Sequence, residues 1–286
     1  MRQPHKDESG QIVLVTLLTL TVVTTIVLSL IGRTTTDVSI SNQIEESTRA
    51  FNAAEAGIEE ALKSGTTGTF TLAGLSYTIQ QYDIGGSTGI YSFPRKTTKG
   101  SVETLWLVEH DEEDIDGDLD TSELLDAGPY YTVNTIDLCW SSETVTPAVV
   151  VGVYYKTAAG EYRVAKGAYD PEYATRGNNF SGVTASAGGC GAETGTTYRQ
   201  TIDFTTFLPS INPASDIVLF LRIQPLYSDT KIVVNAPATL PLQGKQISSS
   251  GTSTGGITRK IVVYRQFRTP PLILDHVIYS QGSLGH

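Results

Sequence analysis

The chain has 286 residues, and its 20 Lys plus Arg stand against 30 Asp plus Glu for a formal charge of −10. That balance leaves no basic face to neutralise a run of phosphates, so nucleic acid is not an expected partner. Two cysteines and four scattered histidines, His5, His110, His276 and His286, offer neither C-x-x-C nor a zinc-ligand spacing.

The first element is an apolar run from Ile12 to Ile31 in which every residue is Ile, Val, Leu, Thr or Ser. Roughly 20 residues at about 1.5 Å each cover the hydrocarbon core of a bilayer. The hydroxyls of Thr16, Thr19, Thr21, Thr24, Thr25 and Ser29 can bond a carbonyl one turn back, which lowers their cost in lipid. A secretory signal has a shorter apolar region, roughly 7 to 15 residues, followed by a small-x-small site. Here Leu30-Ile31-Gly32-Arg33 reads instead as a helix continuing into water.

No proline interrupts Gln11 to Gly65, and Ile44, Phe51 and Ile58, with Ala54, Ala61 and Leu62, keep helical spacing. Lys63 and Gly65 form a stop signal. The spacing predicts one helix of about 50 residues, its first half apolar all round and its second half amphipathic.

Beyond Gly65 the texture is short β-type runs between Gly, Ser, Pro and Asn. Strands are predicted at 69–83, 104–109, 130–138, 149–155, 162–168, 201–205, 217–223, 231–235, 261–267 and 273–279. "VVVGVYYKTAAGEYRVAKGAY" reads as a hairpin turning at Ala158-Ala159-Gly160, and "DPEYA" as a turn or two of helix. "GKQISSSGTSTGGITRK" reads as a linker or a long hairpin tip, because it offers almost nothing to bury. The fold class is therefore α+β, a long N-terminal helix over 11–65 and a predominantly antiparallel β head over 66–286. The head is either one domain or two meeting near the Gly-rich break at 176–195.

Cys139 and Cys190 both fall in the part beyond the span, where an even pair permits a disulfide; the alternative is two buried thiols. A bridge would close a loop of about 50 residues, worth on the order of 4 kcal/mol by the chain-entropy model.

"EEDIDGDLDTSE" follows the twelve-residue calcium-loop template, with Asp114, Asp116, Gly117, Leu119, Asp120 and Glu123 at positions three, five, six, eight, nine and twelve. Only position one departs, Glu112 standing where Asp is expected. These carboxylates and the Asp118 carbonyl could supply the six to eight oxygens that Ca2+ takes. A solvated acidic loop is the plainer reading, although its unmetallated carboxylates would repel one another. The β-type "TLWLVEH" before the loop points to a calcium-clamped loop on a β domain, not a switch between long helices.

"GTSTG", Gly251 to Gly255, matches the nucleophile-elbow pattern, but Ser253 lies in a Ser/Gly/Thr stretch leading into a β run. The later Asp275 and His276 are adjacent in a predicted strand and point to opposite faces. No constellation for catalysis is present, and a non-enzymatic protein is expected. Trp106, Trp140 and most tyrosines read as core or cross-strand residues; an exposed subset could touch a surface or a glycan.

The charged leader ending in Gly10, the unbroken apolar run, "GRTTT" at Gly32 to Thr36 and "AFNAAEAGIEEAL" at Ala50 to Leu62 together resemble the N-terminal region of PilX-type minor pilins of type IV pilus-like filaments. The resemblance covers roughly the first 60 residues. It implies a 1–10 leader that a prepilin peptidase removes after Gly10, leaving Gln11 as the methylated mature terminus. It also implies a single pass through the cytoplasmic membrane with the head outside, and later packing of the helix against other pilin subunits. Major pilins carry Glu at the fifth mature position, where this chain has Val15, and Phe at the first, where it has Gln11. Both departures fit a minor subunit better than a repeating one. Arg2, His5 and Lys6 precede the span while Arg33 follows it closely, so the orientation rests on the resemblance. A single-span, calcium-binding surface adhesin that never enters a filament is the alternative.

Overall fold

In the computed structural model, which describes residues 9–72, 74–110, 124, 125, 128 and 130–271, one long helix precedes a head of antiparallel sheets. Helix α1 runs unbroken over Ser9–Ser64, 56 residues. It stops at Gly65, whose φ of +66° lets its amide donate to the Ala61 carbonyl at 3.0 Å, a left-handed end that a side chain would resist. The strands among the described residues are β1 (Gly68–Leu72), β2 (Leu75–Gly85), β3 (Ile90–Ser92), β4 (Glu103–Trp106), β5 (Thr135–Trp140), β6 (Ala148–Lys156), β7 (Tyr162–Tyr169), β8 (Tyr198–Asp203), β9 (Ile217–Leu226), β10 (Ile232–Asn235), β11 (Leu242–Thr252) and β12 (Thr258–Gln266). A one-turn helix, α2 (Tyr173–Arg176), lies between β7 and β8.

Two compact units divide the chain, one made of residues 1–80 and 247–263, the other of 81–246 and 264–286. In the first, the sheet of order β1-β2-β11-β12 covers the last four turns of α1. Ile58 and Ala61 of the helix pack with Ile79 and Ile247 of the sheet, a small cluster in which each buried Ile contributes roughly 1.5 to 3 kcal/mol.

The buried face of the helix keeps only part of the expected stripe, Ala54, Ile58 and Ala61. Ala50, Ala53, Ala54, Ile58 and Ala61 are buried, whereas Ile44 and Phe51 are 62% and 48% exposed and Leu62 faces water as well. Size explains the shift. A β-carbon on Gly251 of β11 would collide with the Ala50 carbonyl oxygen and stand 2.5 Å from the Ala54 amide nitrogen, so helix and strand backbones nearly touch. Only alanine and glycine fit such a seam, and the ring of Phe51 turns away.

The same closeness overturns the linker reading of 244–260. Its Gly and Ser residues form β11, in which Ser248, Ser249 and Gly251 are buried. The part that reads as a hairpin tip is confined to 253–257, where Ser253 donates to the Ile257 carbonyl at 2.9 Å and Gly256 donates to Ser253 at 2.9 Å.

In the second unit, the sheets β3-β10-β5-β8 and β4-β9-β6-β7 enclose one core. Ile136, Leu138 and Trp140 from β5 meet Val149, Val151 and Val153 from β6 and Leu221 and Ile223 from β9. Alternation along β6 serves that core through Tyr155, and a register shift between Tyr154, which faces Phe220, and Tyr155, which faces Val218, leaves Leu219 of β9 as the extra residue. The bulge moves Val218 onto the same face as Leu221, which strict period-two reading would forbid.

Some strand limits differ from those expected. The run predicted over 69–83 is a hairpin broken at Gly74, with φ +82°, and the one at 130–138 begins only at Thr135, while the hairpin at 158–160 is as predicted. The strand predicted at 273–279 lies outside the described residues.

Candidate functional site

Three regions carry the residues singled out from the sequence. The first is the N-terminal half of α1. Gly10 and Gln11 sit in its opening turn. From Ile12 to Ile31 its apolar side chains are uncovered, and the helix is long and apolar enough to cross a membrane. Its threonines bond back to the helix, Thr16 to the Ile12 carbonyl at 2.7 Å, Thr19 to Thr16 at 2.9 Å, Thr21 to Leu18 at 2.8 Å, Thr24 to Leu20 at 2.7 Å and Thr25 to Thr21 at 2.6 Å. Each hydroxyl proton is thereby satisfied within the helix, as a lipid environment demands.

The second region is the acidic loop. Glu112, Asp114, Asp116, Asp118, Asp120 and Glu123 lie outside the described residues; among the described ones, no group of three or more His, Cys, Asp or Glu is placed to hold a metal. The ends of the loop are tied together, for His110 bridges Leu124 and Val108 bridges Tyr130, both antiparallel, and Leu125 donates to the Glu109 carbonyl at 2.9 Å. A β-type approach to the loop was the expectation, and β4 with these bridges provides it.

His110 itself is packed away, 4% exposed, stacked on Phe267 at 3.8 Å and edge-on to Trp106 at 4.5 Å. Neither ring nitrogen has a hydrogen-bond partner among the described residues, and burial lowers its pKa to about 4. It is a neutral aromatic filler.

Third is the disulfide. Cys139 and Cys190 are bonded, 51 residues apart in sequence. Cys139 projects from the outer side of β5, opposite the face that places Leu138 and Trp140 in the core. The bond thus fastens the 185–197 loop over the outer face of that sheet, where Ala185 bridges Arg199 of β8. Cys190 is further held by the Thr196 hydroxyl, which accepts from its amide at 3.0 Å.

Around this loop the structure gathers residues that no sequence pattern links. An open cleft of about 370 Å³ is lined by Arg95, Lys96, Ser141, Glu143, Gly195 and Lys231. They come from the β3–β4 connection, the end of β5, the disulfide-fastened loop and the start of β10, and the pairing of β10 with β3 and β5, together with the disulfide, brings them together.

Ser253 of "GTSTG" serves packing. It is 5% exposed, and in the tip that it anchors the Gly255 amide donates to the Glu46 carboxylate at 2.9 Å. Hydrogen bonds from Ser253 and Gly255 hold the Glu46 carboxyl below its ordinary range.

A buried carboxylate completes the inventory. Asp170 is fully buried and accepts from Arg176 Nη1 at 2.8 Å, Asn178 Nδ2 at 2.6 Å and the Glu172 amide at 2.8 Å. The Arg176 guanidinium lies 4.2 Å over the Tyr227 ring. With every side of the pair satisfied, the cluster locks the segment after β7 against the β9–β10 turn. No protein-family model matches the chain, and no curated protein or solved structure matches it.

Proposed function

We propose that the chain is a non-enzymatic, PilX-type minor pilin-like subunit, anchored in the cytoplasmic membrane by α1 and taking part in assembly or tip formation of a type IV pilus-like filament. The observation that carries this reading is the division of α1: one unbroken helix whose first half is apolar and uncovered while its last turns are clasped by the head's own sheet. A cleaved signal peptide would have no reason to continue as a rigid rod into the folded part. A retained helix that must serve first in lipid and then against neighbouring helices has to present one apolar surface to both. Val15, in the uncovered half, offers no carboxylate to a neighbouring amino terminus, which favours a minor over a repeating subunit.

In this reading a prepilin peptidase cuts after Gly10, the head stands outside the cytoplasm, and the loop at 112–123 takes Ca2+ there, where millimolar calcium would fill even a weak site. Intact mass of the membrane-extracted protein tests it. Loss of residues 1–10 is expected, together with co-sedimentation with sheared filaments. An intact leader, or an N-terminus beyond Ile31, overturns the pilin reading and leaves the membrane-anchored adhesin.

A further inference from the structure

We propose that the cleft beside the disulfide binds a small organic anion, a carboxylate or sulfate ester carried on a body about the size of one sugar ring. This goes beyond the filament reading and holds for the head whether or not α1 enters a filament.

Charge is the first argument. The chain as a whole is strongly acidic, yet three cations, Arg95, Lys96 and Lys231, line one concavity with a single carboxylate, Glu143. Lys96 pairs with Glu143 at 2.8 Å. That hydrogen bond, together with one from Ser141, holds the Glu143 carboxyl below its ordinary range, although Asp229 nearby pushes the other way. Among the described residues the other two cations have no carboxylate partner. Lys231 Nζ donates to the Thr194 carbonyl at 2.6 Å and is in no ion pair, and Arg95 is exposed with neither an ion pair nor a hydrogen bond among the described residues. Charges of one sign on the walls of a concavity concentrate the field, and with it the local concentration of a counter-ion.

Shape is the second. A volume of about 370 Å³ falls at the small end of the roughly 300 to 1,000 Å³ typical of small-molecule sites. It exceeds what a bare oxyanion fills and is far too short for a nucleic acid backbone, which the net charge would repel in any case.

The third argument is that the cleft is held in shape. Lys231 is fixed from both sides, because its amide donates to the Ser141 hydroxyl oxygen at 3.0 Å while its carbonyl accepts from the Ser141 amide at 3.1 Å. The opposite wall, Thr194 and Gly195, belongs to the loop that Cys190 ties to Cys139. Thr194 in turn shares a hydrogen bond with Thr196 at 2.7 Å. Lys231 therefore holds its ammonium group at the wall without bringing a neutralising charge with it. The ligand's oxyanion would sit between Arg95 and Lys231, with its hydroxyls toward Ser141 and the Glu143 carboxylate.

The test is titration calorimetry on the full chain in zwitterionic detergent at fixed low ionic strength, with glucuronate, glucose and inorganic sulfate as probes. Glucuronate is expected to bind, glucose not to, and sulfate to bind more weakly than glucuronate. Arg95→Gln, at an exposed and unpaired side chain, is expected to weaken glucuronate about fivefold, while Glu143→Gln, which removes the opposing charge, tightens it about twofold. Glucuronate that does not bind, or binds no better than glucose, overturns the proposal, as does an Arg95→Gln variant that binds like the parent. Sulfate binding as tightly as glucuronate overturns the organic body and makes this a bare-anion site.

Discussion

Gly251 of β11 lies so close to Ala50 of α1 that a β-carbon there would run into the Ala50 carbonyl oxygen, with Ala53 Cβ at 3.0 Å. The contact fixes the distance between helix and sheet. Gly251→Val is expected to cost about 1 to 3 kcal/mol through overpacking, read as a lowered denaturant midpoint of the full chain. Gly32→Ala, on the same helix with nothing within 4 Å of the added atom, should instead gain up to about 1 kcal/mol from reduced unfolded-state freedom. Nearby Ser249 is fully buried with no partner for its hydroxyl among the described residues. Ser249→Ala should therefore be neutral or stabilising, by up to about 1 kcal/mol.

Breaking the Cys139–Cys190 bond frees a 51-residue separation, and the loop-closure estimate for that length is about 4 kcal/mol. Cys139→Ser with Cys190→Ser should lower the urea midpoint accordingly, and a reductant should do the same to the parent while leaving the double variant unchanged.

Removing one member of a buried pair costs more than the pair contributes. Asp170→Ala takes the buried carboxylate from the Arg176 guanidinium, whose side chain is only 17% exposed, leaving it the partly exposed Glu172 at 3.0 Å, and should cost about 3 kcal/mol. Urea denaturation checks this; a change below 1 kcal/mol would show the cluster to be more solvated than its packing suggests.

Burial raises the Glu103 carboxyl, only partly offset by the bond that the Thr97 hydroxyl donates to it. A carboxyl whose pKa is higher folded than unfolded supports the fold at low pH and loses that support as pH rises through the folded value. Glu103→Gln keeps an oxygen for Thr97, so it should raise Tm at pH 7 and leave it nearly unchanged at pH 4. A scan of Tm against pH for parent and variant measures the difference.

If the 112–123 loop takes calcium, millimolar Ca2+ should raise the Tm of the full chain and a chelator should reverse the rise. Asp114→Ala with Asp116→Ala should remove both effects. An unchanged calcium response in that variant would assign the binding elsewhere.

The unbroken helix was legible in the sequence because nothing between Gln11 and Gly65 opposes it, and the β6–β7 hairpin because its alternation and its Gly160 turn agree. Which face of α1 would be buried was legible only in part: Ala54, Ile58 and Ala61 lie on it, whereas Ile44, Phe51 and Leu62 do not. Periodicity weighs Phe51 and Ile44 above alanine, whereas the backbone contact at Gly251 admits alanine alone. For the same reason β11 was hidden, since a strand chosen for smallness has the composition of a linker. The cationic cleft was hidden differently: Arg95, Ser141 and Lys231 are joined only by strand pairing, and each by itself is an ordinary surface residue.

The seam between α1 and β11 also sets an order of events. The helix ends at Ser64, but the part of β11 in its unit begins at Ile247, so the alanine face is made long before its cover. At roughly 5 to 20 residues per second of synthesis, the helix waits on the order of 10 to 40 s for that strand. During that interval its narrow face is open to any other backbone that can lie as close. The chain's own late hairpin therefore acts as the protein's last fastening, and a ribosome that stalls before residue 263 releases a helix already complete and still unsealed.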